Sequence, residues 1–296
     1  IAGTDLEDRT GILSIGGDWM FVRNGTGKLT RVLVSEPAFL KAAPINEIAR
    51  KWASELDVRR MKQEHAAFVE AYRQQGVQVE FLPADPGRPN SVFSRDFGGC
   101  VREGYVLGRF REHLRDQEHV DYEKKMQELG IPCLGTCKQG LFEGGDFMFL
   151  NETTIALGMI ARTDQQGYEE VRTILSPYGY EVVPVPAREA YLHLDMCFNL
   201  VDDHLAVAYE DGLPESFRAR LRQLAIEIIP VEEAAIFAHG CNLQALGEHR
   251  VLSLQQNTRV NRELTRHGMQ VIELDITEIL KAGGGPHCMS FPLERL

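Results

Sequence analysis

A repeated pattern of hydrophobic and polar positions runs along the chain. Each unit contains two short apolar strands joined by a turn, then an amphipathic helix and a further apolar strand. Four of the five helices are followed by a glycine, which is typical of a left-handed helix C-cap. The pattern therefore predicts five similar units, with hairpin turns at 103–104, 151–152, 202–203 and 247–248 and helices at about 56–75, 119–129, 165–175, 214–224 and 258–266.

The spacing of the units, roughly 40–55 residues, is in the range of repeat and propeller modules. Alternating strands and helices are also compatible with a doubly wound open sheet. That fold predicts a glycine-rich phosphate turn after a strand, and the chain has neither GxGxxG nor GxxxxGKS/T. We therefore expect radial repetition around an axis. No linker-like segment divides the chain, so residues 1–296 are expected to form one domain.

The net charge of the chain indicates which classes of binding partner to expect. The 296 residues include 32 lysines and arginines against 43 aspartates and glutamates, a formal charge of −11. An acidic chain lacks the positive surface that binding to a phosphate backbone requires, so no nucleic-acid partner is expected. A cationic small molecule suits the excess of carboxylates better, although most of them are expected simply to face solvent.

The six cysteines are scattered and form no CxxC pair. In a chain of this length such usage favours a reducing compartment, with most thiols buried as small apolar groups. No run of eighteen apolar residues and no signal-peptide pattern are present, so we expect a cytoplasmic protein without a membrane partner. Cys133 and Cys137 lack a second pair of ligands at a suitable spacing, and no metal site is predicted.

Polar residues interrupt the apolar strands at five junctions between units. In a radial array such equivalent positions converge near the axis, so residues far apart in the chain can meet. Converging thiol, imidazole and carboxylate groups indicate nucleophilic catalysis. The junctions are PNSVFSRD (89–96), FEGGD (142–146), HLD (193–195), GCN (240–242) and GGGPHC (283–288).

Cys288 is the candidate nucleophile, because the triple glycine before it lets the backbone approach a ligand closely. A nearby cation would favour its thiolate form. His193 is a candidate proton shuttle, and Glu143 could orient its imidazole. Asp96 and Asp195 are then free to accept N–H groups from a planar cation such as a guanidinium. Each residue taken alone is also compatible with a structural role, as a core thiol, a buried ion pair or a turn.

The ordered set PNSVFSRD, FEGGD, ARTDQQG, HLD and GGGPHCMSFPL resembles the guanidino-group-modifying (amidinotransferase) superfamily, which includes arginine deiminases and dimethylarginine dimethylaminohydrolases. The resemblance covers about residues 31–296 and leaves 1–29 as an N-terminal extension. It implies an α/β fold, the five-bladed α/β propeller of ββαβ units called the pentein fold. It also implies Cys288 as nucleophile, His193 as general acid and base and Glu143 as its partner. Asp96 and Asp195 would hold the guanidinium, with no metal or cofactor.

The same resemblance implies that Arg109 and Arg162 hold a substrate carboxylate and that segment 37–52 acts as a lid. Asn90 and Asn242 are candidates for the polar end of the substrate or for hydrogen bonds at strand edges. Exposed arginines and turn asparagines are common in proteins, so a structural role stays open for these four residues.

The implied activity is that of a hydrolase that forms a covalent thiouronium intermediate and yields a ureido product with ammonia or an amine. Asn90 and Asp195 match the arginine deiminase pattern and favour an unmethylated guanidino substrate, because methyl groups would leave a buried carboxylate without N–H donors. Chain length and the pattern EGYVLGRF match the dimethylarginine dimethylaminohydrolases instead. Amidino transfer from arginine to an amine, a non-enzymatic propeller-type binding factor and a homodimer are further alternatives.

Overall fold

The computed structural model describes residues 21–51 and 56–296. Residues 1–20 of the predicted N-terminal extension and residue 52 of the predicted lid lie outside this range. Within it the chain forms five three-stranded sheets. In each sheet a middle strand pairs antiparallel with an inner strand and parallel with an outer strand, and a helix connects the two parallel strands. The predicted five-unit α/β propeller is confirmed.

The strands of the described residues are β1 (Leu29–Ser35), β2 (Gln78–Leu82), β3 (Gly98–Val101), β4 (Gly104–Leu107), β5 (Cys133–Thr136), β6 (Phe147–Phe149), β7 (Thr154–Met159), β8 (Glu181–Pro186), β9 (Phe198–Asp202), β10 (Leu205–Ala208), β11 (Glu227–Pro230), β12 (Gln244–Gly247), β13 (Arg250–Leu254), β14 (Gln270–Leu274) and β15 (Phe291–Arg295).

The α-helices of the same residues are α1 (Glu47–Lys51), α2 (Val58–Gln74), α3 (Glu118–Glu128), α4 (Gln165–Leu175), α5 (Leu194–Cys197), α6 (Glu215–Gln223), α7 (Glu233–Ile236) and α8 (Thr258–Arg266). The helices α2, α3, α4, α6 and α8 are the five crossover helices, and each lies within two residues of its predicted bounds at either end.

Burial falls from the inner to the outer strand of a blade. The inner strands β3, β6 and β12 are buried at every residue, whereas the outer strands β2, β5 and β14 contain exposed positions. This gradient is the one expected when inner strands line a common axis and outer strands lie at the rim. The connections that enter the inner strands are thereby brought to the centre of the molecule.

The two ends of the chain close the ring. The sequence pattern showed only β1, α2 and β2 for the first unit, and its inner strand is β15 from the C-terminal end. Leu33 of β1 lies opposite Phe291 of β15 in an antiparallel pair. Phe291 also packs on Phe97 of the next blade, with ring centroids 4.0 Å apart. The first blade therefore depends on residues from both ends of the described chain.

The glycines after four crossover helices adopt the left-handed conformation, with φ between 71° and 85° at Gly76, Gly130, Gly179 and Gly268. The corresponding residue after α6 is Ala225, which has φ 53°. A Cβ atom is unfavourable there, so we expect Ala225→Gly to raise the free energy of unfolding by about 0.5–1 kcal/mol in urea titrations.

A matched control is Ala67→Gly on the exposed side of α2, which should lower the free energy of unfolding by about 0.5–1 kcal/mol. If both variants were destabilised alike, the left-handed strain at Ala225 would not contribute to stability.

The cysteines are free thiols, and all but Cys133 are buried, as predicted for most of them. Within 21–51 and 56–296, no helix combines the length and the apolar character needed to cross a lipid bilayer.

Candidate active site

Each of the five inner strands is preceded by a connection that carries a predicted site residue. Because the inner strands are equivalent in the ring, these connections meet at one end of its axis. The six side chains are at most 4% exposed. They are Asp96 before β3, Glu143 before β6, His193 and Asp195 before β9, Asn242 before β12 and Cys288 before β15.

The imidazole of His193 lies among carboxylates. Its Nε2 is 3.0 Å from Glu143 Oε2, and its Nδ1 is 3.9 Å from Asp96 Oδ1. Burial alone lowers the pKa of His193, but the charge of Asp96 and the hydrogen bond to Glu143 outweigh burial and raise it to about 9. Burial likewise raises the pKa of Glu143, yet His193 and Arg162 outweigh it and lower the value to about 2. The pair is an imidazolium and a carboxylate at neutral pH.

The backbone before His193 is strained. Leu192 has φ 69° and ψ −68°, and the N–H of His193 donates to the carbonyl of Tyr191 at 2.8 Å, which together define a γ-turn of the rare positive-φ type. Gly145 lies under the ring, and a Cβ atom there would be 2.7 Å from His193 Cγ. The second glycine of FEGGD is therefore needed because a side chain there would clash with the imidazole.

Asn242 holds the connection that carries the thiol. Its Oδ1 accepts the backbone N–H groups of Gly285, His287 and Cys288 at 3.1–3.3 Å, and its Nδ2 donates to Cys288 Sγ at 3.0 Å. A Cβ atom on Gly284 would be 2.4 Å from the ring of Phe93 and 3.0 Å from Cys288 Cβ. The glycine run thus permits close packing of Phe93 against the connection that carries the thiol.

The thiol donates to Asp195 Oδ2 at 3.3 Å. Burial raises the pKa of Cys288 well above its ordinary value, and the negative charges of Asp195 and Asp96 raise it further. The same Asp195 oxygen is 2.8 Å from His287 Nδ1. Burial and Arg95 lower the pKa of His287 to about 4, so His287 is a neutral donor to the carboxylate. Beside these carboxylates, Cys288 is a protonated thiol at neutral pH.

One charged group in the site was missed by the sequence interpretation. Arg115 is buried, and its Nη1 donates to Asp96 Oδ2 at 2.6 Å while its Nη2 donates to Glu118 at 2.8 Å. Its guanidinium also lies over the ring of Phe110, 4.3 Å from the centroid. Arg115 therefore fixes one oxygen of Asp96 and leaves the other free. Arg115 lies in the charged segment REHLRD (111–116), whose sequence does not indicate that one of its arginines is buried. No sequence pattern therefore identifies Arg115 as a site residue.

Several polar atoms of this cluster are buried without a hydrogen-bond partner among the described residues. Buried polar groups are normally paired, so these atoms are free to accept or donate hydrogen bonds to a ligand. They are Asp96 Oδ1, His193 Nδ1 and Asp195 Oδ1, and Asn90 Oδ1, on the connection before β3, is also buried and unpaired.

A cavity of about 390 Å³ adjoins the cluster. Leu192, next to His193, forms part of its wall, and so does Arg162, whose Nη1 is 3.4 Å from Glu143 Oε1. Three arginines and three glutamates line it, so both signs of charge are present. The lining residues are Ile45, Asn46, Glu47, Arg50, Arg111, Glu112, Ala161, Arg162, Glu189, Ala190 and Leu192.

The C-terminal part of the predicted lid forms one wall of this cavity. Arg162 Nη2 donates to the carbonyl of Ile45 at 2.7 Å. Asn46 accepts the N–H of Ala49 at the start of α1, and its Nδ2 donates to the carbonyl of Ala282 at 3.1 Å. Segment 45–51 is thus joined to both the Arg162 side and the thiol side of the cluster.

The structure does not bring Arg109 to the cluster. Its side chain is exposed and donates to the carbonyl of Gln139. Arg111, two residues further along the chain, lines the cavity instead, and its backbone N–H donates to Glu143 Oε1 at 3.0 Å. Arg109 forms an isolated bridge with Phe142 and Arg111 lies in the bend that follows, so only the tertiary structure shows which arginine reaches the cavity.

Asp96, Glu143 and His193 each offer a ligand atom, and these atoms lie within 4.8 Å of one another. These three residues of the described chain could hold a metal ion only if His193 lost its proton, because an imidazolium has no free lone pair.

Solved structures of similar fold include enzymes that act on guanidino compounds. The N-terminal domain of ArgZ, an arginine dihydrolase from cyanobacteria, superposes with a TM-score of 0.82 at 21% identity, over 90% of this chain and 98% of that domain. The dimethylarginine dimethylaminohydrolase (DDAH) of Pseudomonas aeruginosa superposes with a TM-score of 0.77 at 22% identity. The match covers 90% of this chain and 100% of the DDAH chain. This chain therefore has the same fold as these two proteins, the pentein fold.

Sequence comparison identifies the family to which this chain belongs. The family model described as N,N dimethylarginine dimethylhydrolase, eukaryotic, matches residues 37–295, and the chain belongs to this family of guanidino-group hydrolases. The uncharacterized protein YkgA of Bacillus subtilis is 30% identical over 275 residues, 92% of this chain and 94% of YkgA. An arginine deiminase of Bacillus cereus is 26% identical over 254 residues. That match covers 70% of this chain and only 62% of the deiminase.

Proposed function

We propose that the protein hydrolyses the guanidino group of free arginine, with Cys288 as nucleophile, to give citrulline and ammonia. The observation that carries the proposal is a pair of buried, unpaired carboxylate oxygens, Asp96 Oδ1 and Asp195 Oδ1, beside a thiol and an imidazole. A guanidinium supplies several N–H donors in one plane together with a positive charge, so it can satisfy both carboxylates at once.

Substrate binding would also activate the thiol. The pKa of Cys288 is raised by burial and by Asp195 and Asp96, and a guanidinium between these carboxylates brings a compensating positive charge next to Sγ. A nearby cation favours the thiolate. The thiol proton is then lost to water when the substrate binds, and the nucleophile forms only in its presence.

In the first half-reaction Sγ attacks the central guanidino carbon and a C–S bond forms. His193, with a pKa of about 9, is protonated at neutral pH. It donates its proton to the departing nitrogen as the C–N bond breaks. Ammonia leaves, and the amidino carbon stays attached to Cys288 as a thiouronium cation.

In the second half-reaction the neutral His193 takes a proton from water, and the hydroxide adds to the same carbon. The C–S bond breaks and the thiolate is regenerated. The proton of the added hydroxyl group passes to solvent, where it converts the ammonia released earlier to ammonium. The overall change is arginine cation plus water to citrulline plus ammonium. Glu143 keeps the imidazole oriented through the 3.0 Å hydrogen bond.

The adjoining cavity supports an amino acid as the substrate. Its arginines suit an α-carboxylate and its glutamates suit an α-ammonium group, so the lining is complementary to a zwitterion. The catalytic cluster is at most 4% exposed, and substrate can therefore enter only when a covering segment moves. Segment 45–51, which lines the cavity, is the proposed lid.

Arg111→Gln is expected to raise KM for arginine by about 10–100-fold, because a charge-assisted hydrogen bond contributes about 1.5–3 kcal/mol. Agmatine lacks the carboxylate, so its kcat/KM should change little in the same variant. Steady-state rates for both substrates measure the difference. Arg109→Gln is the matched control and should leave KM for arginine unchanged. A rise in KM in Arg109→Gln alone would place the carboxylate at the sequence-predicted arginine instead.

The proposed function is tested by mass spectrometry of products formed from arginine, asymmetric dimethylarginine and agmatine, with and without glycine as an amidino acceptor. We expect citrulline and ammonia from arginine at the highest kcat/KM. The second candidate is dimethylarginine hydrolysis, which the family match favours. Release of dimethylamine with no turnover of arginine would replace the proposal by that activity, and formation of ornithine with an amidinated glycine would replace it by amidino transfer.

A further inference from the structure

A second, smaller cavity lies on the axis of the ring, and residues of all five inner strands line it. Its volume of about 30 Å³ is room for a water molecule or an ion of similar size. Two arginines, Arg95 and Arg295, are in its wall, and no carboxylate residue of the described chain is. This lining is opposite in charge to the carboxylate-rich cluster around Cys288.

Arg295 is buried at 1% exposure. Its Nη1 donates to the carbonyl of Gly27 at 2.6 Å and its Nη2 to the carbonyl of Ala245 at 2.8 Å. Its Nε is buried and has no hydrogen-bond partner among residues 21–51 and 56–296. An unpaired donor on a buried cation is unusual, because both the charge and the N–H group lose their hydration.

Arg95 is 9% exposed. Its Nη2 donates to Gln244 Oε1 at 3.0 Å and its Nε to the carbonyl of His287 at 3.4 Å. Neither Arg95 nor Arg295 forms an ion pair within 4.0 Å among the described residues, although their charges act on each other. Asp195 attracts Arg95 from a greater distance, and Asp195 Oδ2 is already used by His287 and Cys288.

We propose that this axial cavity binds a small inorganic anion of the chloride class, held by the guanidinium groups of Arg95 and Arg295. Two buried like charges repel each other, and an anion between them removes the repulsion and accepts the unpaired Nε–H of Arg295. In a chain of formal charge −11, two arginines without a paired carboxylate form a local site that attracts anions. The size of the cavity selects a monatomic ion over an organic acid.

The first test is a thermal-unfolding titration of the full chain with sodium chloride, with sodium gluconate keeping the ionic strength constant. Binding to the folded state alone should raise Tm by roughly 2–4 °C at saturating chloride. Gluconate is too large for the cavity and should have no such effect. An identical Tm in the two salts at every concentration would overturn the proposal.

Arg295→Met should abolish the chloride dependence, whereas Arg31→Met, on the neighbouring strand β1 and outside the cavity, should keep it. A chloride dependence that persists unchanged in Arg295→Met would place the ion elsewhere and refute the site. If Arg295→Met does not fold, the site is tested by anomalous diffraction. Crystals of the wild-type protein are grown in gluconate and soaked in sodium bromide. An anomalous peak between Arg95 and Arg295 supports the site, and its absence refutes it. Neither readout depends on the proposed activity.

Discussion

Replacing Cys288 with serine is expected to lower kcat for arginine by at least about a thousandfold. A hydroxyl is a far weaker acid than a thiol, so the charge of a bound guanidinium does not suffice to ionise it. Without an ionised nucleophile the C–S bond and the thiouronium cation cannot form. The loss is measured as the rate of citrulline formation, and the covalent intermediate should be absent from intact-protein mass spectra of Cys288→Ser during incubation with arginine.

Two controls separate this effect from loss of the site. Cys288→Ser should still bind arginine in calorimetry, because the free oxygens of Asp96 and Asp195 remain. Cys133→Ser removes the exposed thiol and should retain wild-type turnover. Normal turnover by Cys288→Ser would remove Cys288 from the mechanism. An alkylation rate of Cys288 that arginine does not alter would argue for a binding protein without this chemistry.

Replacing His193 with asparagine is expected to lower kcat by about 10²–10⁴-fold. Asparagine preserves a polar group beside Glu143, but it neither gives a proton to the departing nitrogen nor takes one from water. Both half-reactions lose their proton carrier as a result. Turnover of arginine by this variant at the wild-type rate would require another acid and base in the site.

The same variant should change how stability depends on pH. The pKa of His193 is about 9 in the folded protein and about 6.5 when unfolded. The folded state therefore binds the proton more tightly. The contribution of this proton to the free energy of unfolding is complete below about pH 6.5 and is lost as pH rises through 9. The free energy of unfolding of the wild-type protein should fall across this interval, and His193→Asn should lack that part of the fall.

Urea unfolding at pH 6, 7.5 and 9 measures this difference. His204→Asn, at an exposed turn after β9, is the matched control and should follow the wild-type curve. If His193→Asn lost stability between pH 6 and 9 as steeply as the wild-type protein, His193 would not be protonated in the folded state, and its role as the acid in the first half-reaction would fail with it.

Much of the fold could be predicted because the determining signals are local. Helix periodicity and the glycines after the helices placed five crossover helices, and α4 and α8 have the predicted bounds. The pairing of β1 with β15 could not be found in this way. Strand partners at opposite ends of a chain leave no mark on the spacing of hydrophobic residues, so the inner strand of the first blade was missing from the pattern.

The site was predictable to the extent that it follows from the repeat. Residues at equivalent positions before the inner strands must meet once the ring closes, and Asp96, Glu143, His193 and Cys288 do so. The sequence identifies Asn242 as a candidate, but it does not predict the four hydrogen bonds from its side chain to the connection that carries Cys288. Those bonds depend on the conformation of the glycine run, which residue types alone do not specify.

Local residue patterns specify five units of helix and strand, an acidic chain with scattered thiols, and the residue types that meet at the axis. Which charges are buried and which polar atoms stay unpaired depends on the tertiary structure. Arg115 takes one oxygen of Asp96 and leaves the other for a ligand. Arg111 reaches the cavity where Arg109 does not, and Arg295 is enclosed with an unpaired Nε. The reason is physical: periodicity is a property of neighbouring residues, whereas burial and electrostatic partners depend on segments that come together only when the ring closes.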